Sequence, residues 1–231
     1  MIYLIPTPIA EGNSTSEEVR SAIRACDYFV VENIRTARRY ISSLRLGLVI
    51  DSLEFVELSE HTSLEDISGI LAPILEGRCA AIMSEAGLPC VADPGSLLVA
   101  AAHKAGVRVV PLIGASSIML ALMSSGLSGQ NFAFNGYLPI KGDERVRALR
   151  RYESRAISEG QTQIFIETPY RNVSLFGDIL RSLGSSTLLT VACDLTGEHE
   201  YVSTRTVAQW KNGAVPDIAK RPAIFIIGRA F

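Results

Sequence analysis

The sequence predicts an α/β fold in two α/β domains: an N-terminal parallel sheet with flanking helices over residues 1–126, and a C-terminal mixed sheet over residues 127–231. Three observations predict it. Short apolar runs alternate with amphipathic, helix-length segments five times in the first half, the pattern of a parallel sheet covered on both faces. Residues 79–83 are apolar throughout, as a strand buried on both faces must be. Past residues 126–131, a cluster of turn formers, strand-like runs follow one another with fewer helices between them, which suits a mixed sheet.

Taken in order, residues 2–6 read as a strand closed by the stiff turn Pro6-Thr7-Pro8-Ile9. Two overlapping capping registers, Ser14 with Glu17 and Thr15 with Glu18, start a helix with Val19, Ile23 and Cys26 on one face. Residues 28–31 form a second strand, leading to Glu32-Asn33-Ile34-Arg35 and a helix over about 36–44. Residues 55–58 are a short strand. Ser63 with Asp66 opens a helix to residue 76, in which Pro73 predicts a kink or a break. The strand at 79–83 runs into the loop Ser84-Glu85-Ala86-Gly87-Leu88-Pro89. Asp93 then stands as N-cap with Pro94 at the first helical position. Residues 107–112 are the fifth strand, followed by an apolar helix to residue 125. In the second half, strands fall at 132–137, 163–167, 188–194, 200–204 and 223–228. Helices fall at 143–159, up to 183, and at 207–211.

The five strand ends of the first half converge on one edge of the sheet, in loops rich in Pro, Gly, Ser and acids. Open α/β sheets hold ligands outside the carboxyl ends of their strands. A set of tight βα connections that bind nothing reads the same way.

With 231 residues, 48% hydrophobic, the chain can bury one large or two modest cores. A formal net charge of −2 offers no global attraction to nucleic acid and leaves only a local basic face for that purpose. Cys26, Cys79, Cys90 and Cys193 lack redox or metal spacing, which suits reduced thiols in a reducing compartment. His61, His103 and His199 have no metal-ligand spacing, so no metal is expected. The start of the chain shows no basic and apolar leader pattern and no apolar run reaches spanning length, so a soluble, cytoplasmic protein without membrane contact is expected. A phosphate-binding GxxxxGK[ST] loop, a GxGxxG after the first strand and a GxSxG elbow are all missing.

Six motifs then fall in order: Pro6-Thr7-Pro8-Ile9; Glu32-Asn33-Ile34-Arg35; the stretch from Ser84 to Gly95; the stretch from Val109 to Ser116; Asn135-Gly136-Tyr137-Leu138-Pro139; and Ile166-Glu167-Thr168-Pro169-Tyr170-Arg171. Over nearly the whole chain they resemble the tetrapyrrole methylase superfamily of S-adenosylmethionine (SAM) enzymes. Within it, the chain is most similar to the bacterial small-subunit rRNA cytidine ribose 2′-O-methyltransferase branch. The resemblance implies SAM in a cleft between the domains and a homodimer. It implies that Pro8, Ser84, Glu85, Ala86 and Gly87 hold the methionine part and that Ser116 and Ser117 add contacts. It also implies that Tyr137 and Leu138, with Cys193, Asp194, Leu195 and Thr196, approach the adenine. Asn33-Ile34 stand where the branch has Asp-Thr. Glu85 and Leu88 replace an Asp and a Thr, Ile113 replaces a Pro, and Thr168-Pro169-Tyr170-Arg171 replaces Ser-Pro-His-Arg. These departures weigh more on the substrate side than on the cofactor side.

Methyl transfer from a sulfonium is an in-line displacement that needs alignment and one proton acceptor. Glu32 and Asp93 are the catalytic candidates, with His61 and Glu85 beside them; each also reads as a cap or a solvated loop residue. For an RNA partner, Arg35, Arg38, Arg39 and Arg145 would meet phosphates, together with Arg147, Arg150, Arg151 and Arg155 of the same helix. Those helix arginines do not all share one stripe, so about half are expected to face water. Three functions stay open: an rRNA ribose methyltransferase, a methyltransferase for a tetrapyrrole or other small molecule, and a SAM-binding module without catalysis.

Overall fold

The computed structural model of the chain describes residues 1–12, 14–59 and 61–229. Its first sheet holds β1 (Ile2–Ile5), β2 (Tyr28–Val31), β3 (Glu54–Glu57), β4 (Ala80–Met83) and β5 (Val109–Pro111). They lie in the order β3-β2-β4-β1-β5, all parallel. Four helices connect them: α1 (Glu17–Ala25), α2 (Ile34–Ser43), α3 (Leu64–Leu75) and α4 (Ser96–Lys104).

Alternate side chains of each strand leave on opposite faces, and here both faces are apolar. Ile2, Tyr28, Val30, Ala80 and Ile82 meet Ile67, Ile70 and Ile74 of α3 and Leu98 and Ala102 of α4. Ile5, Phe29, Val31, Ala81 and Met83 meet Val19 and Ile23 of α1 and Ala37 and Ile41 of α2. Each large side chain so buried stabilises the fold by about 1.5–3 kcal/mol.

The second sheet holds β6 (Phe132–Tyr137), β7 (Thr162–Ile166), β8 (Leu188–Cys193), β9 (Tyr201–Thr206) and β10 (Ala223–Gly228), ordered β6-β7-β10-β8-β9. Only the β6–β7 pair is parallel. Its helices are α5 (Ser117–Ser125), α6 (Gly142–Ser158), α7 (Asn172–Ser182) and α8 (Val207–Lys211). The chain divides into two compact units, Met1–Ser116 and Ser117–Phe231, rather than at residue 126. The reason is α5: its Ile118, Ala121 and Leu122 pack on Ile164, Ala192, Ile224 and Ile226 of the second sheet.

Several local expectations shift. The N-cap of α1 is Ser16, whose Oγ accepts from Val19 N at 3.2 Å. Neither Ser14 nor Thr15 takes that role, and the Thr15 hydroxyl bonds to Tyr40 Oη at 3.0 Å. Asn33 caps α2 by accepting from Thr36 N, a role open to Asn and Asp alike. The Ser63–Asp66 capping box forms as expected. No break occurs at Pro73: α3 continues to Leu75, and Gly69, whose carbonyl loses its helical donor, is solvent-exposed. Asp93 is not the N-cap of α4, which starts at Ser96 after Gly95.

Candidate active site

The crossover from β1 leads toward β2 and that from β4 leads the other way to β5, so the carboxyl ends of β1 and β4 flank a topological switch point. Beyond Ile5 and Met83, the last paired residues, the two chains stay joined. Thr7 N donates to Gly87 O at 2.9 Å and Gly87 N to Thr7 O at 3.1 Å. The Thr7 hydroxyl donates to Ser84 O and the Ser84 hydroxyl to Gly87 O, each at 3.3 Å. Gly87 has φ +83°, and a Cβ there would lie 3.3 Å from Ile9 Cγ2. Gly114 is tighter still: a Cβ would fall 2.1 Å from Pro6 Cβ.

This join is one wall of a cavity of about 390 Å³, within the range of small-molecule sites. Thr7 to Glu11, Val31 to Asn33 and Met83 to Glu85 line it from the three strand ends, and Thr36, Arg39, Tyr40 and Ser43 from α2. Glu32 Oε2 accepts from Glu85 N at 3.1 Å, and the Thr36 hydroxyl donates to Glu85 Oε1 at 3.1 Å. Burial pushes the Glu32 carboxyl above the usual range against the lowering effect of that N–H, and the charges of Asp93 and Glu85 push it the same way. Asp93 is also raised by burial, although its Oδ1 accepts from Cys90 N at 2.7 Å and Gly95 N at 2.9 Å. Among the described residues its buried Oδ2 finds no hydrogen-bond partner. Asp93 thus fastens the loop in which Cys90 and Ala92 hold positive φ; it does not line the cavity.

The structure therefore brings Pro8, Ser84, Glu85 and Glu32 together, with Ala86 and Gly87 directly after them. His61 is exposed at the approach to α3 and outside the cavity lining, its N–H donating to Ser59 Oγ. Ser116 ends the first unit and Ser117 opens α5 in the second. Arg39 lines the cavity, Arg35 is exposed, and Arg38 is held by Asp51 and the Phe55 ring. Arg145 is a correction. It is only 5% exposed, with Nε 2.6 Å from Asp178 Oδ2 and Nη2 2.9 Å from Ser174 Oγ, so its charge is spent inside the second unit. The other four arginines of α6 are exposed, more than the half expected.

Within the second unit, Tyr137 is exposed, while the Leu138 and Cys193 side chains belong to the core. Leu195 packs partly on the other face of that sheet. Asp194 and Thr196 hold positive φ; Asp194 pairs with Arg221 at 3.2 Å, and Thr196 N donates to Glu200 Oε2 at 2.7 Å. The sequence reading missed Thr36, Tyr40 and Ser43. Their spacing of four and three, one face of a helix leaving a strand end, is the signal that could have found them. Among the described residues no group of three or more His, Cys, Asp or Glu could hold a metal, and no helix is long and apolar enough to cross a membrane.

A parallel sheet with its crevice at the β1–β4 switch point, followed by a mixed sheet, is an architecture found in methyltransferases. The structure matches the crystal structure of the methyltransferase CobJ with a TM-score of 0.65 and 17% identity, over 99% of this chain and 94% of that one. It matches uroporphyrin-III-C-methyltransferase from Thermus thermophilus with a TM-score of 0.54 and 17% identity, over 99% and 91%. These likenesses establish the fold. The profile of the family described as Tetrapyrrole (Corrin/Porphyrin) Methylases matches residues 1–210, and the chain belongs to that family. Its curated relatives include Ribosomal RNA small subunit methyltransferase I of Escherichia coli O157:H7, 30% identical over 208 residues, 90% of this chain and 70% of that protein. The protein of the same name from Mycobacterium tuberculosis H37Rv is 32% identical over 220 residues, 93% of this chain and 74% of that protein. The chain is a methyltransferase by family and by relatives alike.

Proposed function

We propose that this methyltransferase moves a methyl group from SAM to a ribose 2′-hydroxyl of small-subunit ribosomal RNA, as a cytoplasmic homodimer. The observation that carries the reading is the crevice at the Thr7–Gly87 join, a ligand-sized cavity with three carboxylates, Glu11, Glu32 and Glu85, on its wall, in a chain whose relatives are named for small-subunit rRNA methylation.

The residues present fit the cofactor. Gly87, free of a side chain, lets backbone groups approach a ligand closely, and the Glu32 and Glu85 carboxylates suit a ligand bearing positive charge. SAM, when bound, supplies the methyl group on a sulfonium. The chain's own residues do the rest: Pro8 and residues 84–87 orient the donor, and Glu32 accepts the proton of the attacking hydroxyl. The raised affinity of Glu32 for a proton suits it to that role better than an ordinary surface carboxylate. The N–H of Glu85 fixes the Glu32 carboxylate, and Thr36 fixes Glu85 in turn.

The test is transfer of labelled methyl from SAM, offered small-subunit particles, total RNA and a porphyrinoid in parallel, with the labelled nucleotide mapped. Label in one ribose of the small-subunit RNA is expected. Label confined to the porphyrinoid, or absent from every acceptor, overturns the proposal.

A further inference from the structure

We infer that the solvent face of α6 is a binding stripe for a nucleic-acid phosphate backbone, carried by Arg147, Arg150, Arg151 and Arg155. That the strand is RNA rests on the function proposed above. All four side chains are exposed. Their offsets of three, four and eight residues place them on one side of the helix along about 12 Å of its axis. Among the described residues none of the four is ion-paired to a carboxylate; the pairs of this helix are Lys141–Glu144 and Arg145–Asp178. The single acid between Arg145 and Ser158 is Glu153. It turns away, accepting from Gly184 N at 2.7 Å and from the Thr187 hydroxyl. At the carboxyl end of the helix, Arg229 adds another guanidinium, donating to Ile157 O at 3.3 Å.

Like charges three and four residues apart repel one another and weaken a helix. A face that serves only solubility mixes both signs; here the exposed acids, Asp143 and Glu144, are confined to the first turn, and from Arg147 to Arg155 the exposed residues include none. In a chain of net charge −2, such a stripe is a local field that attracts a polyanion. Guanidinium forks match phosphate oxygens in two-point contacts. The Arg151 guanidinium lies 4.9 Å from the centre of the Tyr152 ring and donates to its hydroxyl at 3.2 Å. An anionic membrane would ask for several apolar side chains to insert beside the stripe; here Ala148, Leu149 and Ala156 are spent in the core and Ile157 alone is exposed there.

The test compares the full chain with its Arg147→Gln/Arg150→Gln/Arg151→Gln/Arg155→Gln variant, after circular dichroism shows that both fold alike. Binding to a single-stranded segment of small-subunit rRNA is followed between about 50 and 200 mM salt. At roughly 0.7 per phosphate contact on a single strand, the magnitude of the log–log slope should fall by about 3 in the variant, with SAM binding unchanged. Affinity at the low-salt end should fall at least about tenfold. An unchanged slope and affinity overturn the inference. So does binding to phosphatidylcholine–phosphatidylserine vesicles that the variant loses while it keeps RNA. A parent that binds RNA through the stripe yet methylates no small-subunit RNA leaves the stripe standing and removes the proposed function. A variant that methylates with the parent's KM removes the stripe and leaves the function.

Discussion

Arg145 Nε sits 2.6 Å from Asp178 Oδ2, both residues buried, and this ion pair ties α6 to α7. Breaking such a pair from one side strands a charge in low dielectric. Arg145→Ala should therefore lower the unfolding free energy by about 3 kcal/mol, near the lower end for buried pairs because Arg181 still reaches Asp178. The double variant Arg145→Met/Asp178→Leu should recover most of that loss. Urea denaturation of both variants checks it; a double variant less stable than Arg145→Ala would contradict it.

Gly114→Ala should cost about 1–3 kcal/mol, because its methyl group must displace the rigid Pro6 ring at the end of β1. Methyl transfer should fall with it, since Pro6 leads directly into the Thr7–Gly87 join. Gly129→Ala, where a Cβ would meet nothing within 4 Å, should stay within about 0.5 kcal/mol of the parent.

Glu32 binds its proton more tightly in the folded chain than in the unfolded one. Between the two pKa values the native state holds more protons, so this residue's contribution to stability declines as pH rises through that window. Activity runs the other way, because only the ionised carboxylate accepts a proton. The acid limb of the pH–rate profile should lie above the ordinary carboxylate range, and Glu32→Gln should abolish the limb with a loss in kcat of roughly 10²–10⁴. Gln keeps an oxygen for Glu85 N but removes one carboxylate charge from the cavity wall, so SAM affinity should fall far less than kcat. An acid limb retained in Glu32→Gln would assign the proton to another group.

Asp93 should separate loop order from charge. Asp93→Ala removes the acceptor of two backbone N–H groups and should cost about 1–3 kcal/mol. Asp93→Asn keeps an accepting oxygen, relieves a desolvated charge, and should be as stable as the parent or more so near neutral pH. Thermal melts at pH 5 and pH 8 check the sign: any gain of the Asn variant should be larger at the higher pH.

The strands at 28–31 and 223–228 were legible to the residue because their apolar runs end against turn formers or charged residues. The site's first-unit residues were legible because parallel strands must deliver their ends to one edge. Other features depend on partners far away in sequence. Ser14, Thr15 and Ser16 are all competent caps, and the choice is settled by Tyr40, which takes the Thr15 hydroxyl. Five arginines on one helix look alike until Asp178, on another helix, draws one of them inward. The turn formers at 126–131 have the composition of a boundary between units. The chain instead changes unit at Ser116–Ser117, because α5 buries Ile118 and Leu122 against the second sheet while Met123 stays exposed.

The ends of the first sheet bear on how the protein behaves when crowded. Its outer strands are β3 and β5, each with one side unpaired within the sheet, and an open strand edge recruits other strands into aggregates. Glu54 and Glu57 stand exposed at the two ends of β3, so two copies meeting there would oppose like charges. At the other edge, β5 is three residues long and finishes on Pro111, which has no N–H to offer a newcomer. One border is defended by charge and the other by brevity and a missing donor, which keeps this sheet from growing past its fifth strand.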